Sequence, residues 1–231
     1  MHRLRIALLN ASQEPSTARN LRRELDADLV EFDVHEELPE TFAFDAAVVT
    51  GSRASVYWDE PWIESLVEWV GEAADREMPI LGICFGHQVL AEALGGTVEN
   101  MGEYEIGYRE VEGDGLLFDG IDDPMTVFTT HSDAVTDLPP GAERIAENDY
   151  GIHGFRLGNA FGVQFHPEYD METAESVTRG KDLPDDRLRT VISGITEANY
   201  AKACEAKQLF TNFTEHVRSV RKSHPVSSDP A

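Results

Sequence analysis

Cysteine is scarce in this sequence. Cys84 and Cys204 are the only two among 231 residues, and they lie far apart along the chain. Two distant cysteines build neither a disulfide framework nor a paired metal-ligand motif, and they are typical of a reducing, intracellular compartment. We expect Cys204 to be a core or surface position on the last helix.

Long apolar runs are missing too. No stretch approaches the roughly 20 apolar residues that a membrane-spanning helix needs. The apolar segment 4–9 leads directly into polar sequence without a cleavage site of the signal-peptide kind, and we interpret it as the first strand. These absences predict a cytoplasmic protein that does not use a membrane as a partner.

Basic residues, and lysines above all, are few. The sequence has 19 basic residues, of which four are lysines, against 43 acidic residues, and the formal net charge is −24. Such a chain repels nucleic acid as well as anionic membranes, so neither is expected as a partner. The acidic residues are spread along the chain, as on a solvated surface. Our hypothesis is adaptation to a high-salt cytoplasm, where counter-ions screen the self-repulsion.

Metal-ligand motifs and phosphate-binding loops are absent from the sequence as well. No group of His, Cys, Asp and Glu residues has the spacing of a metal site, and no Gly-rich loop has the pattern of a phosphate cradle. We therefore expect no metal and no cofactor.

The order of apolar patterns indicates an α/β architecture. Short apolar runs alternate with helical patterns in the first half, which predicts a mostly parallel sheet with crossover helices that begin near Pro15 and Pro61. From about residue 111, glycine and proline separate further short strands, which indicates an antiparallel extension of the sheet. The predicted strands of the first half are 4–9, 29–34, 46–50 and 80–84. The predicted helices after residue 168 are 171–178 and 195–218.

One motif, GICFGHQ at residues 82–88, carries chemistry. It follows an apolar strand, opens a helix and places a glycine two residues to either side of Cys84, which is typical of a strained nucleophile elbow. At the start of a helix, exposed N–H groups and the helix dipole favour the reactive thiolate. Cysteine is also a common small core residue, and the motif alone does not decide between these interpretations. We expect His87 to have a packing or hydrogen-bonding role rather than to act as a metal ligand or a second base.

A second motif, HPE at residues 166–168, ends an apolar strand pattern. A histidine there is expected at the same edge of the sheet as Cys84, where open α/β sheets place their active sites. Pro167 fixes the backbone so that Glu168 can accept the Nδ1–H of His166, which leaves Nε2 facing the thiol as general base. On its own the tripeptide is ordinary. Together the two motifs predict a Cys-His-Glu triad.

These motifs resemble the signature of class I glutamine amidotransferase domains, as in the glutaminase part of GMP synthase, and the resemblance covers most of residues 4–168. The segment TGSRASVY at 50–57 resembles the family's oxyanion loop. The segment THSD at 130–133 resembles the part that holds the α-amino and α-carboxyl groups of glutamine. The resemblance implies an α/β, flavodoxin-like fold: a mostly parallel sheet with helices on both faces and a small antiparallel extension.

The resemblance also implies the chemistry. Cys84 attacks the side-chain amide carbon of glutamine, His166 protonates the departing ammonia, and Glu168 orients the histidine. The glutamyl thioester that remains is hydrolysed by water. Because we find no synthetase domain in the sequence, we expect the ammonia to be used by a separate synthetase subunit.

Further site residues follow from the same resemblance. The oxyanion hole is expected from the N–H groups of Phe85 and Ser52, with Gly51 allowing the loop to approach closely. Ser52 and Arg53 replace a glycine and a proline of the family pattern; the N–H donor survives this change, and Arg53 is expected either beside the substrate carboxylate or on the surface. The residues expected to bind the substrate are Gln88, Thr130, Ser132 and Asp133.

We expect a single amidotransferase-like domain over residues 1–220, with a helical extension at 169–220 and a flexible tail at 221–231. Segment 172–189 is longer than a minimal amidotransferase needs, and stand-alone γ-glutamyl peptidases of the family resemble it in this respect. A γ-glutamyl peptidase is therefore the alternative function. A non-catalytic regulatory module is a second alternative, against which the intact triad argues.

Overall fold

The computed structural model describes residues 3–223, so residues 224–231 of the predicted tail lie outside the described residues. Its strands are β1 Arg5–Asn10, β2 Asp28–Asp33, β3 Ala46–Val49, β4 Ile80–Ile83, β5 Thr97–Gly113, β6 Met125–Asp137, β7 Glu143–Asn148, β8 Gly151–Leu157 and β9 Ala160–Val163. Its α-helices are α1 Pro15–Glu24, α2 Pro61–Asp75, α3 Phe85–Ala93, α4 Met171–Arg179, α5 Asp185–Gly194, α6 Glu197–Ala203 and α7 Gln208–Ser223. The last helix thus runs three residues into the segment expected as tail.

The nine strands form one sheet in the order β2-β1-β3-β4-β9-β8-β7-β5-β6. The first five are parallel neighbours, and this order is that of a flavodoxin-like doubly wound sheet. The remaining strands pair antiparallel. The predicted α/β fold class is therefore confirmed, with β9 inside the parallel part and a four-stranded antiparallel extension.

Alternation along the strands builds a core on each face of the sheet. In β1, Ile6 and Leu8 pack on one face with α1 and α7, whereas Ala7 and Leu9 pack on the other face with α2 and α3. All four side chains are fully buried. Because successive side chains of a strand point to opposite faces, a segment covered on both faces must be apolar at every position, as residues 6–9 of this strand are.

Two helices begin where the sequence predicts. Pro15 and Pro61 stand in the first turns of α1 and α2, where the missing N–H costs nothing. The predicted helix 195–218 is instead divided: α6 buries no side chain, a short 3-10 turn follows at Glu205–Lys207, and α7 then packs its apolar face on the sheet. The division turns the apolar face of α7 toward the core.

The antiparallel extension is longer than the short strands predicted for it. β5 and β6 pair along most of their length, with register shifts near Asn100 and Glu105. The extension curls so that β6 approaches the end of β9, where the backbone N–H of His166 donates to the carbonyl of Phe128 at 2.9 Å. α4 and α5 cover this region through a small apolar cluster around Phe128. No helix within residues 3–223 is long and apolar enough to cross a membrane.

Candidate active site at the carboxyl edge of the parallel strands

Cys84 occupies a strained turn between β4 and α3. Its φ is 54° and its ψ is −104°, a conformation that side-chain-bearing residues rarely adopt. A Cβ at Gly82 would collide with the backbone of Gly86, and a Cβ at Gly86 would collide with the carbonyl of Val49. Both glycines are therefore required by the close approach of strand and helix. The turn holds Cys84 at the N-terminus of α3, the positive end of the helix dipole.

A buried pair of glutamines lies behind the sulfur. The side-chain amide of Gln164 donates to Cys84 Sγ at 3.6 Å. Gln88 in turn donates to Gln164 Oε1 at 3.2 Å and to the carbonyl of Asp133 at 3.0 Å. Gln164 was not predicted as a site residue, although a glutamine inside the apolar strand pattern 161–165 is a visible signal. The arrangement fixes the orientation of an N–H donor toward the sulfur.

The imidazole of His166 is held by Glu168. Its Nδ1 lies 2.8 Å from Glu168 Oε1, both side chains are at most 5 % exposed, and the ring of Tyr169 stacks on the imidazole at 4.1 Å. Burial lowers the pKa of His166, but the charge of Glu168 and the neighbouring Cys84 outweigh burial and raise it to about 10. The geometry thus favours an imidazolium whose Nδ1–H is directed at the carboxylate.

The loop after β3 brings its backbone against the cysteine–histidine pair. A Cβ at Gly51 would lie 2.7 Å from Cε1 of His166 and 3.6 Å from the Cβ of Cys84. A glycine is therefore the residue that fits this position without displacing the imidazole. Ser52 follows directly, and its hydroxyl accepts the N–H of Ala54 at 3.2 Å, which stabilises the turn of the loop.

Asp133 anchors this loop from β6. Its carboxylate accepts hydrogen bonds from Ser55 at 2.5 Å, from Tyr57 at 3.0 Å and from Asn100 at 3.0 Å. The side chain is buried. Three donors occupy the carboxylate, so in this structure Asp133 holds the loop, a role that the sequence did not suggest.

A cavity of about 410 Å³ opens in front of the histidine. Gly51, Ser52, Thr130, His166 and Glu168 are among its lining residues. It is also lined by residues of the helical extension, namely Tyr169, Thr173, Val177 and Lys181.

The four residues expected to bind substrate differ in their position relative to the cavity. Thr130 lines it, whereas Ser132 does not. Gln88 and Asp133 are buried behind the cavity and have protein hydrogen-bond partners. Arg53 lines the cavity mouth, is 60 % exposed and pairs with Glu14 at 3.0 Å.

Three further histidines lie behind the site. His87 is fully buried against Phe155, and burial together with neighbouring charge lowers its pKa to about 3, so the ring is neutral. Its placement fits the packing role expected from the sequence. Glu105, His131 and His153 form a buried cluster that the sequence did not indicate. They come from three different strands, so no local spacing connects them.

Known proteins resemble this chain in sequence. The family model described as Glutamine amidotransferase class-I matches residues 12–180. A glutamine-hydrolysing GMP synthase of Aromatoleum aromaticum is 34 % identical over 167 residues, which cover 65 % of this chain and 31 % of the relative. The same enzyme of Pyrobaculum aerophilum is 33 % identical over 177 residues, 75 % of this chain and 32 % of the relative. The chain therefore spans about a third of the length of these curated relatives.

The fold has solved counterparts as well. The crystal structure of a glutamine amidotransferase from Thermotoga maritima matches with a TM-score of 0.77 and 25 % identity, over 94 % of this chain and 99 % of that one. A glutamine amidotransferase from Methylobacillus flagellatus matches with a TM-score of 0.75 at 20 % identity, over 92 % and 94 % of the two chains, and supports the fold alone.

Proposed function

The chain belongs to the class I glutamine amidotransferase family, and we propose that it releases ammonia from the side-chain amide of glutamine by means of Cys84, His166 and Glu168. The observation that carries the proposal is the strained turn at Cys84, which faces an imidazole whose other nitrogen is held by a buried carboxylate. A thiolate, a proton carrier and an orienting acid are the three groups that acyl transfer requires.

In the first half of the reaction, Cys84 Sγ forms a bond to the amide carbon of glutamine, and the carbonyl π electrons move to oxygen. The resulting oxyanion is stabilised by backbone N–H groups, for which we propose Phe85 and Ser52. When the tetrahedral intermediate collapses, the C–N bond breaks and the Nε2 proton of His166 goes to the nitrogen. Ammonia leaves, and a γ-glutamyl thioester remains on Cys84.

In the second half, the now neutral His166 takes a proton from a water molecule, whose oxygen attacks the thioester carbon. The C–S bond breaks, glutamate leaves, and the thiolate–imidazolium pair is restored. Glu168 stabilises the imidazolium in both halves and fixes the ring with Nε2 toward the sulfur. No external oxidant or reductant enters the reaction.

We propose that the ammonia is passed to a synthetase of the GMP synthase type. The relatives named as glutamine-hydrolysing GMP synthases support this choice, and the chain covers about a third of each. Thr130 is the residue best placed to contact the amino-acid end of the substrate, since it lines the cavity. Ser132, Asp133 and Gln88 would then act through the backbone of β6 and the loop that they hold.

The proposal is tested by measuring glutamate and ammonia release from glutamine by the purified chain, alone and with a GMP synthetase. We expect turnover that rises on addition of the synthetase and that falls by more than about 10³-fold in Cys84→Ala. Cys204→Ala is the matched control and should retain activity. Turnover that survives Cys84→Ala, or that is lost equally in Cys204→Ala, would overturn the assignment of the nucleophile.

A γ-glutamyl peptidase is the second candidate, because one wall of the cavity comes from α4 and the residues after it. A cavity of about 410 Å³ has room for an amide substituent larger than NH₂. Robust, Cys84-dependent cleavage of γ-glutamyl dipeptides by the chain alone, with slow turnover of glutamine, would favour this function. No Cys84-dependent turnover of either substrate, even with a synthetase, would favour the non-catalytic alternative.

A further inference from the structure

Three ligand-type side chains converge in the antiparallel extension, behind the wall of the active site. Glu105 of β5 lies opposite His131 of β6 in the strand register, and His153 of β8 lies next to Glu105. Oε2 of Glu105 lies 2.6 Å from Nε2 of His131 and 3.0 Å from Nε2 of His153. All three residues are at least 95 % buried. One carboxylate oxygen therefore faces two imidazole nitrogens away from solvent.

The hydrogen bond at Nδ1 of His131 determines whether Nε2 of the neutral ring carries a proton or a lone pair. Nδ1 of His131 lies 2.9 Å from the backbone carbonyl of Asp133, which can only accept a hydrogen bond. The proton of the neutral ring is therefore on Nδ1, and Nε2 directs a lone pair at a carboxylate oxygen. Two lone-pair donors at 2.6 Å repel each other unless a cation lies between them, either a proton or a metal ion.

His153 distinguishes these two cations. Both of its ring nitrogens are buried, and neither makes a hydrogen bond of good geometry among the described residues, with Nε2 lying 3.0 Å from Oε2 of Glu105. A proton shared by Glu105 and His131 leaves His153 with this one poorly oriented contact at Nε2 and with no partner at Nδ1, which is costly in the interior. A metal ion has room in its coordination shell for all three donors.

The surroundings hold the donors in the orientation that a metal needs. Asn148 donates to Oε1 of Glu105 at 2.8 Å, and the guanidinium of Arg109 lies 3.9 Å from the same oxygen. Oε2 is thereby left to the two imidazoles. The carbonyl of Asp133 plays the part that outer carbonyls and carboxylates play at metal-bound histidines, since it fixes the tautomer and the plane of the ring.

We propose that Glu105, His131 and His153 bind a divalent transition-metal ion, with zinc as the best fit, and that the ion joins strands β5, β6 and β8. Two imidazoles and one carboxylate are a donor set typical of zinc and of its first-row neighbours, whereas magnesium and calcium prefer oxygen ligands. Ligand atoms of a tetrahedral zinc site are about 3.4 Å apart, so binding requires the three side chains to separate by less than about 1 Å. A fourth position remains for a small ligand.

A metal ion at this cluster departs from the expectation of no metal, which rested on sequence spacing alone. Its proposed effect is structural. β6 also carries Thr130 at the cavity and Asp133 beneath the loop of Gly51, so an ion that fixes β6 to β5 and β8 fixes the wall of the active site. It does not rest on the proposed reaction, because metal binding is measured without turnover.

The test is a zinc titration of the chelator-treated full chain, prepared without a metal-affinity tag. Cys84→Ala is the background for all measurements, since a thiolate beside His166 is itself a possible zinc ligand. Excess magnesium occupies acidic surface groups without competing for imidazole. We expect about one equivalent of zinc per chain by elemental analysis, together with a higher Tm. Cobalt in place of zinc should give the visible absorption of a site with nitrogen ligands.

Two matched variants locate the site. His153→Gln should weaken zinc binding at least about tenfold, whereas His216→Gln, which alters a half-buried histidine bonded to Asn159, should not change it. If His153→Gln does not fold, the cobalt spectrum of the parent chain decides the question. The proposal is overturned if the parent chain binds well below one equivalent, if its Tm is unaffected by zinc and chelator, or if His153→Gln binds as tightly as the parent. The cluster would then hold a proton rather than a metal.

Discussion

Gly51 shows how a single backbone position controls the geometry of the proposed catalytic pair. A Cβ at this position would lie 2.7 Å from Cε1 of His166, inside van der Waals contact. We expect Gly51→Ala to push the imidazole away from Cys84 and to lower kcat for glutamine by about 100-fold, with a small change in Tm. Steady-state kinetics and thermal unfolding measure the two effects.

Gly194 provides the control for this substitution. It stands at the end of α5, where a Cβ meets nothing within 4 Å, and its φ lies outside the left-handed region. Gly194→Ala should therefore leave both kcat and Tm nearly unchanged. A Gly51→Ala variant as active as Gly194→Ala would mean that the loop does not position His166.

Glu168 determines the charge state of His166 and so links the site to pH. The pKa of His166 is raised from 6.5 to about 10, and the charge of Glu168 is the largest single cause that raises it. A raised folded-state pKa contributes stability that is fully present below about pH 6.5 and is lost as the pH rises toward about 10. We expect Glu168→Gln to lower the free energy of unfolding most near pH 6. This decrease should become smaller as the pH approaches 10.

Urea unfolding of the parent and of Glu168→Gln at several pH values measures this difference. Glu172→Gln, which alters an exposed carboxylate on α4, is the control and should show a small, nearly constant difference. A Glu168→Gln difference that is constant, or that grows with pH, would contradict an imidazolium at position 166.

Helix α4 forms a wall of the cavity rather than a remote appendage. Val177 of this helix lines the cavity, whose volume is about 410 Å³. We expect Val177→Phe to reduce hydrolysis of γ-glutamyl dipeptides more than that of glutamine, because the larger ring fills space that a bulky amide substituent would need. Relative kcat/KM values for the two substrates measure the effect. Val177→Ala is the matched variant, and it should leave this ratio unchanged or shift it toward the dipeptide.

The elements that the sequence predicted are those with a strong local pattern. The middle of β1, residues 6–9, is apolar because both faces are covered, and α1 and α2 begin at prolines. β5 and β6 were underestimated because their pairing is long-range and is interrupted by register shifts, which hide the alternation. The break between α6 and α7 was missed because tertiary packing, not propensity, sets it.

The site residues also fall into two sets, those within a local motif and those brought together by long-range strand pairing. Cys84, His166 and Glu168 stand within two short motifs, so their proximity could be expected from the edge rule of parallel sheets. The anchoring role of Asp133 and the cluster of Glu105, His131 and His153 depend on which strands become neighbours. Such contacts require the register of the antiparallel extension, which no local pattern of this sequence contains.

At the scale of the whole molecule, charge is the dominant feature. The net charge is −24, and seven of the described ion pairs join an exposed arginine to an exposed carboxylate, an arrangement that offsets little of the repulsion. Screening shortens the reach of each charge from about 10 Å at 0.1 M salt to about 3 Å at 1 M. We expect Tm to rise with the KCl concentration over this range and to be lower in dilute buffer.

A charge variant separates screening from the general effect of salt on burial. Glu36, Glu37 and Asp122 are exposed, and replacing all three with lysine makes the net charge less negative without touching the core. Because the repulsion to be screened is then smaller, the triple variant should start from a higher Tm in dilute buffer and gain less from KCl than the parent. The general effect of salt on apolar burial acts on both chains alike and cancels in the comparison. Equal salt responses of the two chains, or a parent that is fully stable and active in dilute buffer, would show that the acidic surface is not an adaptation to high salt.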